Sequence, residues 1–360
     1  MAVSRIDEAG LNVNQYGNRN LIINGAMQVS QRGTSEASVT SSQYADAPDR
    51  FKAEMSSAGT WTLSQSTTAP DGFSNSYKFD CTTADASLGA GDYLQLSHYI
   101  EGQNLQHLQK GSSSAKKLTL SFHVRSAKTG TYIVEFYDGD NSRSNSQSYT
   151  ISAADTWEKK TITIDGDASG AFGNDNGASL GVFFYLAAGT NFTSGTLNTS
   201  WGSRTLANVA VGQVNLADST SNNWYITGVQ LEVGDTATDF EHRTFADELQ
   251  RCQRYYVKFK ATSNYSYYGS GVSDTATSAR IFKSFPVEMN HVPVLEQSAN
   301  NTWNIYPPVQ AFSANATINN ASVWGSAINC TVASGLQTGY CTHCTANNTT
   351  DAFFAFESEL

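Results

Sequence analysis

The chain of 360 residues carries 32 acidic and 22 basic side chains, a formal net charge of −10, and no Lys/Arg run is longer than two residues. A nucleic-acid-binding protein needs a cationic face to neutralise phosphates, so nucleic acid is not the expected partner. No apolar run approaches the ~20 residues of a membrane-spanning helix, and the N-terminus lacks the hydrophobic core of a signal peptide, so we expect synthesis in the cytosol without membrane insertion.

Four segments follow one another along the chain. Residues 1–20 are polar and aperiodic, and we expect an attachment arm that becomes ordered against a partner. Residues 21–240 contain at least eight short alternating segments separated by turns rich in Gly, Asp and Asn, which is typical of two packed β-sheets. Residues 241–260 are predicted to form a helical connector. Residues 261–360 return to short strands, so the predicted fold class is all-β with a small C-terminal β-domain.

Clean alternation defines the strand at 117–125. Its apolar residues are predicted to face the core: Leu118, Leu120, Phe122 and Val124. The turn residues Lys128-Thr-Gly130 follow, and we expect them to pair this strand with 131–137 as a hairpin. An apolar stretch at 20–29, interrupted by one Gly, is predicted to be another strand.

The closing strand of the first β-domain is predicted at 224–233. Simple alternation divides its side chains between two faces, with Tyr225, Thr227, Val229, Leu231 and Val233 on one and Trp224, Ile226, Gln230 and Glu232 on the other.

Capping-box chemistry from Thr244 to Asp247 predicts the start of a helix. An apolar stripe follows at spacings of four, three, four and three, the two-heptad pattern of a helix that packs on other helices. Its members are Phe245, Leu249, Cys252, Tyr256 and Phe259. Because so short a helix is not stable alone, we expect the stripe to gather copies of the chain about a symmetry axis.

Cysteines and Asp-Gly motifs give two weak indications of metal binding. Cys341-Thr-His-Cys344 supplies two thiols, but a four-ligand zinc site needs more, and His343 and Cys330 are the candidates; loop cysteines are the favoured interpretation. Asp138-Gly-Asp-Asn141 and Asp165-Gly-Asp167 hold oxygen ligands, yet Ca²⁺ takes about six to eight oxygens. Asp-Gly also favours tight turns. The sequence therefore predicts turns at both motifs, and no metal or other cofactor.

Several strands resemble those of jelly-roll carbohydrate-binding modules: 118–124, 132–136, 157–164, the Phe183-Phe184 strand with Gly189, and 226–234. Other motifs are similar to tailed-phage fibre or tail-associated proteins: 20–33, Asp49-Arg-Phe, 234–243, 245–256 and, at the distal end, Phe285–Met289 with the Glu-Leu terminus. This resemblance covers about residues 20–260. It implies a jelly-roll sandwich in a virion structural protein that reaches the host cell surface. We expect this protein to be a homotrimer, assembled in the host cytoplasm, that binds host surface polysaccharide and contacts other tail or adaptor proteins through residues 1–20.

Exposed Trp or Tyr rings are the usual device for binding sugars, because an aromatic face packs on the apolar face of a pyranose. Four aromatics lie in loop-like, Gly/Asn-rich surroundings and are the candidate ligand-binding residues: Trp201, Trp303, Tyr306 and Trp324. Weak sites repeated over several subunits would then act through avidity.

No nucleophile elbow, paired-histidine helix or phosphate loop occurs in the sequence, so we predict no catalytic residue and no enzyme. A tailspike-like glycan hydrolase is the first alternative, because two carboxylates can converge from distant positions. The candidate catalytic carboxylates of such a hydrolase are Glu101, Glu135, Glu158 and Glu232. Acids on strand faces, however, usually belong to the solvent-exposed face of a sheet. A capsid-decorating head fibre is the second alternative.

Overall fold

The computed structural model describes residues 18–360, which form mostly antiparallel β-structure. They divide into two compact units, residues 18–245 and Ala246–Glu359, with Leu360 grouped with the first. The predicted all-β fold, with a larger sandwich and a small C-terminal β-domain, is confirmed. The predicted attachment arm lies outside the described residues except for its last three positions.

Strands of the first unit, within the described residues, are β1 (Ser35–Val39), β2 (Lys52–Ser56), β3 (Thr60–Ser66), β4 (Ser76–Thr83), β5 (Tyr93–Glu101), β6 (Leu118–Ser126), β7 (Gly130–Asp138), β8 (Arg143–Ile151), β9 (Glu158–Ile164), β10 (Ala178–Ala188), β11 (Gly202–Ser203) and β12 (Asn223–Val233). One sheet has the order β1-β3-β4-β12-β6-β9, and the other has the order β11-β8-β7-β10-β5-β2. Helix α1 (Thr190–Thr193) follows β10. Single 3₁₀ turns occur at Gly102–Asn104, Gln106–Leu108, Leu206–Asn208 and Leu216–Asp218.

The two sheets bury one apolar core between their inner faces. Phe122 of β6 and Phe184 of β10 meet edge to face with ring centroids 5.1 Å apart, so an aromatic pair joins the sheets. The side chains predicted to face inward on β6, Leu118 to Val124 at alternate positions, are all buried in this core. Each large apolar side chain buried in this way contributes about 1.5–3 kcal/mol.

The hairpin predicted across Lys128-Thr-Gly130 is wrong. β6 pairs with β12 and β9, whereas β7 pairs with β8 and β10. The turn therefore carries the chain from one sheet to the other. Alternation shows only that each strand has one apolar face, and here those faces meet across the sandwich instead of lying side by side.

Residues 20–29 form no strand, contrary to the prediction. Asn24 and Met27 have positive φ angles of 61° and 56°, which extended backbone does not allow. Side-chain amides supply hydrogen bonds that a sheet ladder would otherwise make. The side-chain oxygen of Asn20, for example, accepts from the backbone N–H of Leu231 at 3.1 Å.

The closing strand β12 reverses its faces in the middle. Gly228 has a φ of 62°, and the register with β6 shifts after Thr227. A bulge of this kind inserts one residue and inverts the alternation beyond it. Trp224 and Ile226 therefore face the core before the bulge and Leu231 faces it afterwards, so the predicted division into two uniform faces is wrong.

The second unit contains helix α2 (Phe245–Gln253), whose first residue is grouped with the first unit, and ten strands: β13 (Tyr256–Lys260), β14 (Tyr267–Ser273), β15 (Ser278–Ser284), β16 (Val294–Gln297), β17 (Trp303–Tyr306), β18 (Gln310–Ala311), β19 (Thr317–Ser322), β20 (Gly325–Thr331), β21 (Cys341–Ala346) and β22 (Phe353–Glu357). A 3₁₀ turn lies at Asn300–Thr302. The three-stranded sheet has the order β13-β22-β16. The seven-stranded sheet has the order β18-β17-β21-β14-β15-β20-β19.

Helix α2 is shorter than the predicted two-heptad stripe. It ends at Gln253, and Tyr256 and Phe259 belong instead to β13, where they pair with Glu357 and Phe354 of β22. After Tyr256, the segment from Val257 to Lys260 alternates β-branched or aromatic residues with lysines, a composition that favours a pleated strand. The prediction of a continuous helical stripe from Phe245 to Phe259 is therefore wrong.

Candidate ligand-binding surface

Trp201 lies at the surface of the first unit, packed against the sandwich. Its indole N–H donates to the backbone carbonyl of Asp165 at 2.9 Å, and its half-buried ring packs against the sandwich core. The ammonium group of Lys110 lies 5.5 Å from the ring centroid. The expected free indole face is therefore not present at Trp201.

The two Asp-Gly motifs converge on Lys110. Its Nζ atom lies 2.5 Å from a carboxylate oxygen of Asp138 and 3.1 Å from one of Asp167. It also donates to the backbone carbonyls of Ser169 at 2.9 Å and Gly170 at 2.7 Å. Four oxygens thus surround an ammonium group at the place where the sequence left calcium as an alternative.

A second cation balances the charge of this cluster. Arg143 donates twice to the carboxylate of Asp167, at 2.6 and 3.0 Å. Burial by itself raises the pKa of Asp167, but the hydrogen bonds from Arg143 and Lys110 outweigh burial and lower the pKa below its ordinary value. Among residues 18–360, no group of three or more His, Cys, Asp or Glu side chains is arranged to hold a metal ion.

The four carboxylates named as hydrolase candidates make hydrogen bonds within the first unit. Glu135 is fully buried and accepts from Arg204 at 2.6 and 2.9 Å and from the Tyr185 hydroxyl at 2.9 Å. The others have these partners: Glu101 is bonded to Gln103, Glu158 to Lys160 and the N–H groups of Ser152 and Ala153, and Glu232 to Gln230 and Thr238. Because Glu101, Glu135 and Glu232 are buried, the expectation that strand acids are solvated is wrong for these three.

The outer face of the β11-to-β2 sheet is covered by the chain itself. Residues 189–214 cross this face, and Arg204 within them binds Glu135 of β7. A small apolar cluster joins the crossing segment to the sheet: Ile133, Phe183, Tyr185, Val209 and Ala210. This part of the sheet is consequently filled by protein and not open to an extended ligand.

The two end motifs that resemble phage proteins fold against each other. Glu241 accepts hydrogen bonds from the backbone N–H groups of Asn18, Arg19 and Asn20, and Arg243 donates to the carbonyl of Ile22 at 3.1 Å. Burial raises the pKa of Glu241, but these N–H donors and Arg243 lower it below its ordinary value. The motifs therefore hold the start and end of the first unit together.

Exposed apolar side chains concentrate in the second unit. Of the eleven large hydrophobic residues exposed within residues 18–360, nine lie in Ala246–Glu359. The second unit therefore carries most of the exposed apolar side chains of the described residues, and contiguous patches of such side chains are where ligands and other proteins bind.

Trp303 is a core residue and not an exposed platform. It is 1% exposed and stacks on Phe354 with ring centroids 4.4 Å apart and an interplanar angle of 14°. Trp303 and Ile305 occupy the inner face of β17, because alternate residues of a strand share a face. Tyr306 comes one position later and lies on the outer face, so the expectation of an exposed ring is wrong for Trp303 and met for Tyr306.

A row of rings crosses three neighbouring strands on the outer face of the seven-stranded sheet. Tyr306 of β17 is 46% exposed and lies opposite His343 of β21, with ring centroids 5.0 Å apart. Tyr267 of β14 is 63% exposed, and its ring centroid lies 6.1 Å from that of His343. The Tyr267 hydroxyl is 2.8 Å from Oγ of Ser270, which pairs with His343 across the strands. We call these three rings, Tyr306, His343 and Tyr267, the aromatic row.

Trp324 is exposed but belongs to another part of the unit. It lies in the turn between β19 and β20 and is 62% exposed. The sheet order places four strand-to-strand steps between β17 and β20, roughly 19 Å at the usual strand spacing. The structure therefore does not bring Tyr306 and Trp324 into one site.

Tyr267 and His343 were not among the predicted ligand residues. The alternation of Cys341, His343 and Thr345 with buried Thr342, Cys344 and Ala346 would have placed His343 on an outer face had 341–346 been predicted as a strand. What sequence cannot supply is the pairing that places β17 and β14 on either side of β21.

The predicted oligomerisation residues do not share one surface. Phe245 is 56% exposed and Leu249 is half-buried, whereas Cys252 and Tyr256 are buried and Phe259 packs against the core of the second unit. Only Phe245 and Leu249, four residues apart on α2, remain as an apolar stripe available to another chain.

The CxxC motif lies in a strand and not in the expected loop. Cys341 is exposed and Cys344 is buried on the opposite face of β21. Burial raises the pKa of the Cys344 and Cys330 thiols well above the ordinary value, so both are held as neutral side chains in the core.

Among the described residues, no helix is both long and apolar enough to span a membrane.

No protein-family model matches the chain, and no curated protein matches its sequence. Solved structures that are similar to parts of the chain at low identity include the following three. The enzymatically active domain of tailspike protein 4 from bacteriophage CBA120 is 14% identical, with a TM-score of 0.31, over 60% of this chain and 22% of that chain. TmCBM61 in complex with beta-1,4-galactotriose is 10% identical, with a TM-score of 0.29, over 60% of this chain and 100% of that chain.

The third is the family 11 carbohydrate-binding module from Clostridium thermocellum in complex with a beta-1,3-1,4-mixed-linked tetrasaccharide. It is 11% identical, with a TM-score of 0.28, over 57% of this chain and 99% of that chain. The match to the tailspike domain spans about a fifth of that protein's length.

Proposed function

We propose that the protein binds glycans without cleaving them, through the aromatic row on the second unit. The observation that supports this proposal is that Tyr306 and Tyr267 expose large parts of their side chains on either side of His343, on the seven-stranded sheet. A row across three strands spans about 10 Å. Tyrosine and histidine rings in such a row offer apolar faces to sugar rings and polar atoms to their hydroxyls.

The test is binding of a panel of soluble polysaccharides, measured by affinity electrophoresis and then by calorimetry for each polysaccharide that binds. We expect Tyr306→Ala and Tyr267→Ala each to raise Kd about tenfold, which corresponds to about 1.4 kcal/mol. Trp324→Ala is the matched control, because it removes an equally exposed ring at a distant edge. Unchanged Kd in both tyrosine variants would contradict the proposal, as would absence of binding to every polysaccharide tested.

Absence of hydrolysis is part of the proposal. It is supported by the internal partners of Glu101, Glu135, Glu158 and Glu232, since a hydrolase needs two carboxylates accessible to the scissile bond. Incubation with any polysaccharide that binds should release no reducing ends. Their appearance, and their loss in a carboxylate variant, would favour a tailspike-like enzyme.

We further propose that the chain is a homotrimeric virion structural protein of the tail-fibre type, in which several weak sites act together at the host surface. The apolar pair Phe245 and Leu249 on α2 supports subunit contact in this assembly. Sedimentation equilibrium should give three times the chain mass, and Leu249→Asp should give the monomer while both units stay folded. A wild-type monomer would contradict the trimer. Labelling of intact particles with an antibody to the protein would distinguish tail from head.

A further inference from the structure

A cleft in the second unit is lined by three lysines. Its volume is about 260 Å³, and Lys258, Lys260 and Lys283 lie on its walls together with Phe259, Tyr267 and Tyr268. No aspartate or glutamate is among the residues that line it. This volume is just below the ~300–1,000 Å³ range of drug-sized ligand clefts, which suits one sugar ring with its substituents.

Lys283 carries its charge into a half-buried position. Its ammonium group donates to the backbone carbonyl of Tyr268 at 3.0 Å and lies 4.3 and 4.9 Å from the ring centroids of Phe259 and Tyr268. No carboxylate within residues 18–360 forms an ion pair with it. An ammonium group has three donor hydrogens, so a ligand oxygen can still be bound.

A neighbouring cation on the same strand has a carboxylate partner, which is the usual arrangement for a charged side chain. Arg280 of β15 donates twice to Asp274, with both hydrogen bonds 2.7 Å long. Lys283, three residues further along β15, has aromatic rings in the place of such an acid. Burial in these surroundings lowers the pKa of Lys283, which shows that its charged form has lost solvation without gaining a counter-ion.

Tyr267 connects the cleft to the aromatic row. It lines the cleft, and its ring also lies beside His343. Lys283 shares the inner face of β15 with buried Ile281, so a sugar chain on the outer row would reach the cleft only around the end of β14, where Tyr267 is the first residue of the strand. Lysine carries a compact point charge, so its geometry fits the oxygens of a carboxylate and of a phosphate alike. A site built for bidentate contact with a carboxylate would use the planar fork of arginine.

We propose that the cleft binds the anionic substituent of an acidic polysaccharide, a sugar carboxylate or phosphate ester, with Lys283 as its main ionic contact. This inference rests on the proposed function, because it names the class of glycan that the aromatic row would hold. The neutral part of the sugar packs on Tyr267, and the anion enters between Lys283 and Lys260. The protein therefore prefers acidic over neutral glycans of the same backbone.

The experiment compares two pairs of probes by calorimetry at low salt: galacturonate oligomers against galactose oligomers of the same length, and galactose 6-phosphate against free galactose. Wild type should bind the carboxylated or the phosphorylated member at least about tenfold more tightly than its neutral partner, and added salt should reduce this ratio. A ratio confined to galacturonate identifies a carboxylate, and one confined to the phosphate identifies a phosphate ester.

Lys283→Met keeps the apolar stem and removes the charge, so it should fold and bring the acidic-to-neutral ratio close to one. Lys283→Arg should retain the preference, and Lys116→Met, at an exposed lysine of the first unit, is the matched control. Tyr306→Ala should weaken both members of each pair that binds.

The outcomes separate the two proposals. Equal binding of acidic and neutral probes by wild type, or an unchanged preference in Lys283→Met, overturns the cleft assignment and leaves glycan binding intact. Absence of binding to every acidic probe and to every polysaccharide of the panel overturns both.

Discussion

The ammonium group of Lys110 lies 2.5 Å from a carboxylate oxygen of Asp138, whose side chain has no exposed surface. This pair and the neighbouring Asp167 connect two turns that are far apart in the sequence. A buried ion pair adds little stability compared with an apolar replacement, but loss of one partner leaves a buried charge without a counter-ion. The cluster around Lys110 is therefore a place where single substitutions should have large effects on the first unit.

Lys110→Ala should lower the free energy of unfolding by about 3–5 kcal/mol, because Asp138 and Asp167 lose a shared counter-ion. The vacated space is surrounded by two carboxylates and two carbonyls, the ligands that Ca²⁺ prefers. We therefore expect millimolar Ca²⁺ to restore part of the stability, measured by urea unfolding with and without the ion. Lys110→Met is the control, since its thioether fills the space; a calcium response in both variants, or in neither, would contradict this expectation.

Arg204→Met should destabilise the first unit by about 3–5 kcal/mol by leaving Glu135 buried without its cation. Since Arg204 belongs to the segment that covers the sheet, hydrogen exchange at Val209 and Ala210 should also accelerate. The double variant Glu135→Gln/Arg204→Met should lose less stability than the sum of the single variants, because neither charge is then stranded. Additive losses would show that the two residues do not act as a pair.

Gly228→Ala should cost about 1–3 kcal/mol, because the residue needs a positive φ. A Cβ atom there would also lie 2.6 Å from the ring of Phe73. Gly72→Ala is a matched control, since Gly72 also has a positive φ, of 90°, but its Cβ would meet nothing within 4 Å. Thermal unfolding should give a clearly larger loss for Gly228→Ala, and equal losses would remove the steric part of the argument.

Acid should destabilise the first unit through Asp167 and Glu241. Both groups have folded-state pKa values below their ordinary values, so they contribute stability above the unfolded pKa, about 4, and that stability is lost as the pH falls through the folded pKa. Glu241→Gln should therefore flatten the acid side of a plot of unfolding free energy against pH. An unchanged slope below pH ~4 would show that Glu241 is not linked to folding.

Local pattern was sufficient for the fold class and for the β6 core face. The alternation of Leu118, Leu120, Phe122 and Val124 depends only on the two-residue repeat of a strand. The same reasoning failed at β12, because Gly228 inverts the two-residue repeat there. It also failed at β13, where apolar residues at the four-three spacing of a helix belong to a strand. In both places the backbone geometry depends on contacts with residues far away in the chain.

By itself, the sequence determined a β-rich, acidic chain with a sandwich, a short helix and a second β-domain, because composition and periodicity are local properties. Only the tertiary structure decided which aromatics face solvent and which groups meet. Strand pairing placed Tyr306, His343 and Tyr267 in one row and buried Trp303, three residues before Tyr306 on the same strand. It also enclosed Lys110 between two turns and left Lys283 without a carboxylate partner among residues 18–360, since such neighbours are set by non-local packing.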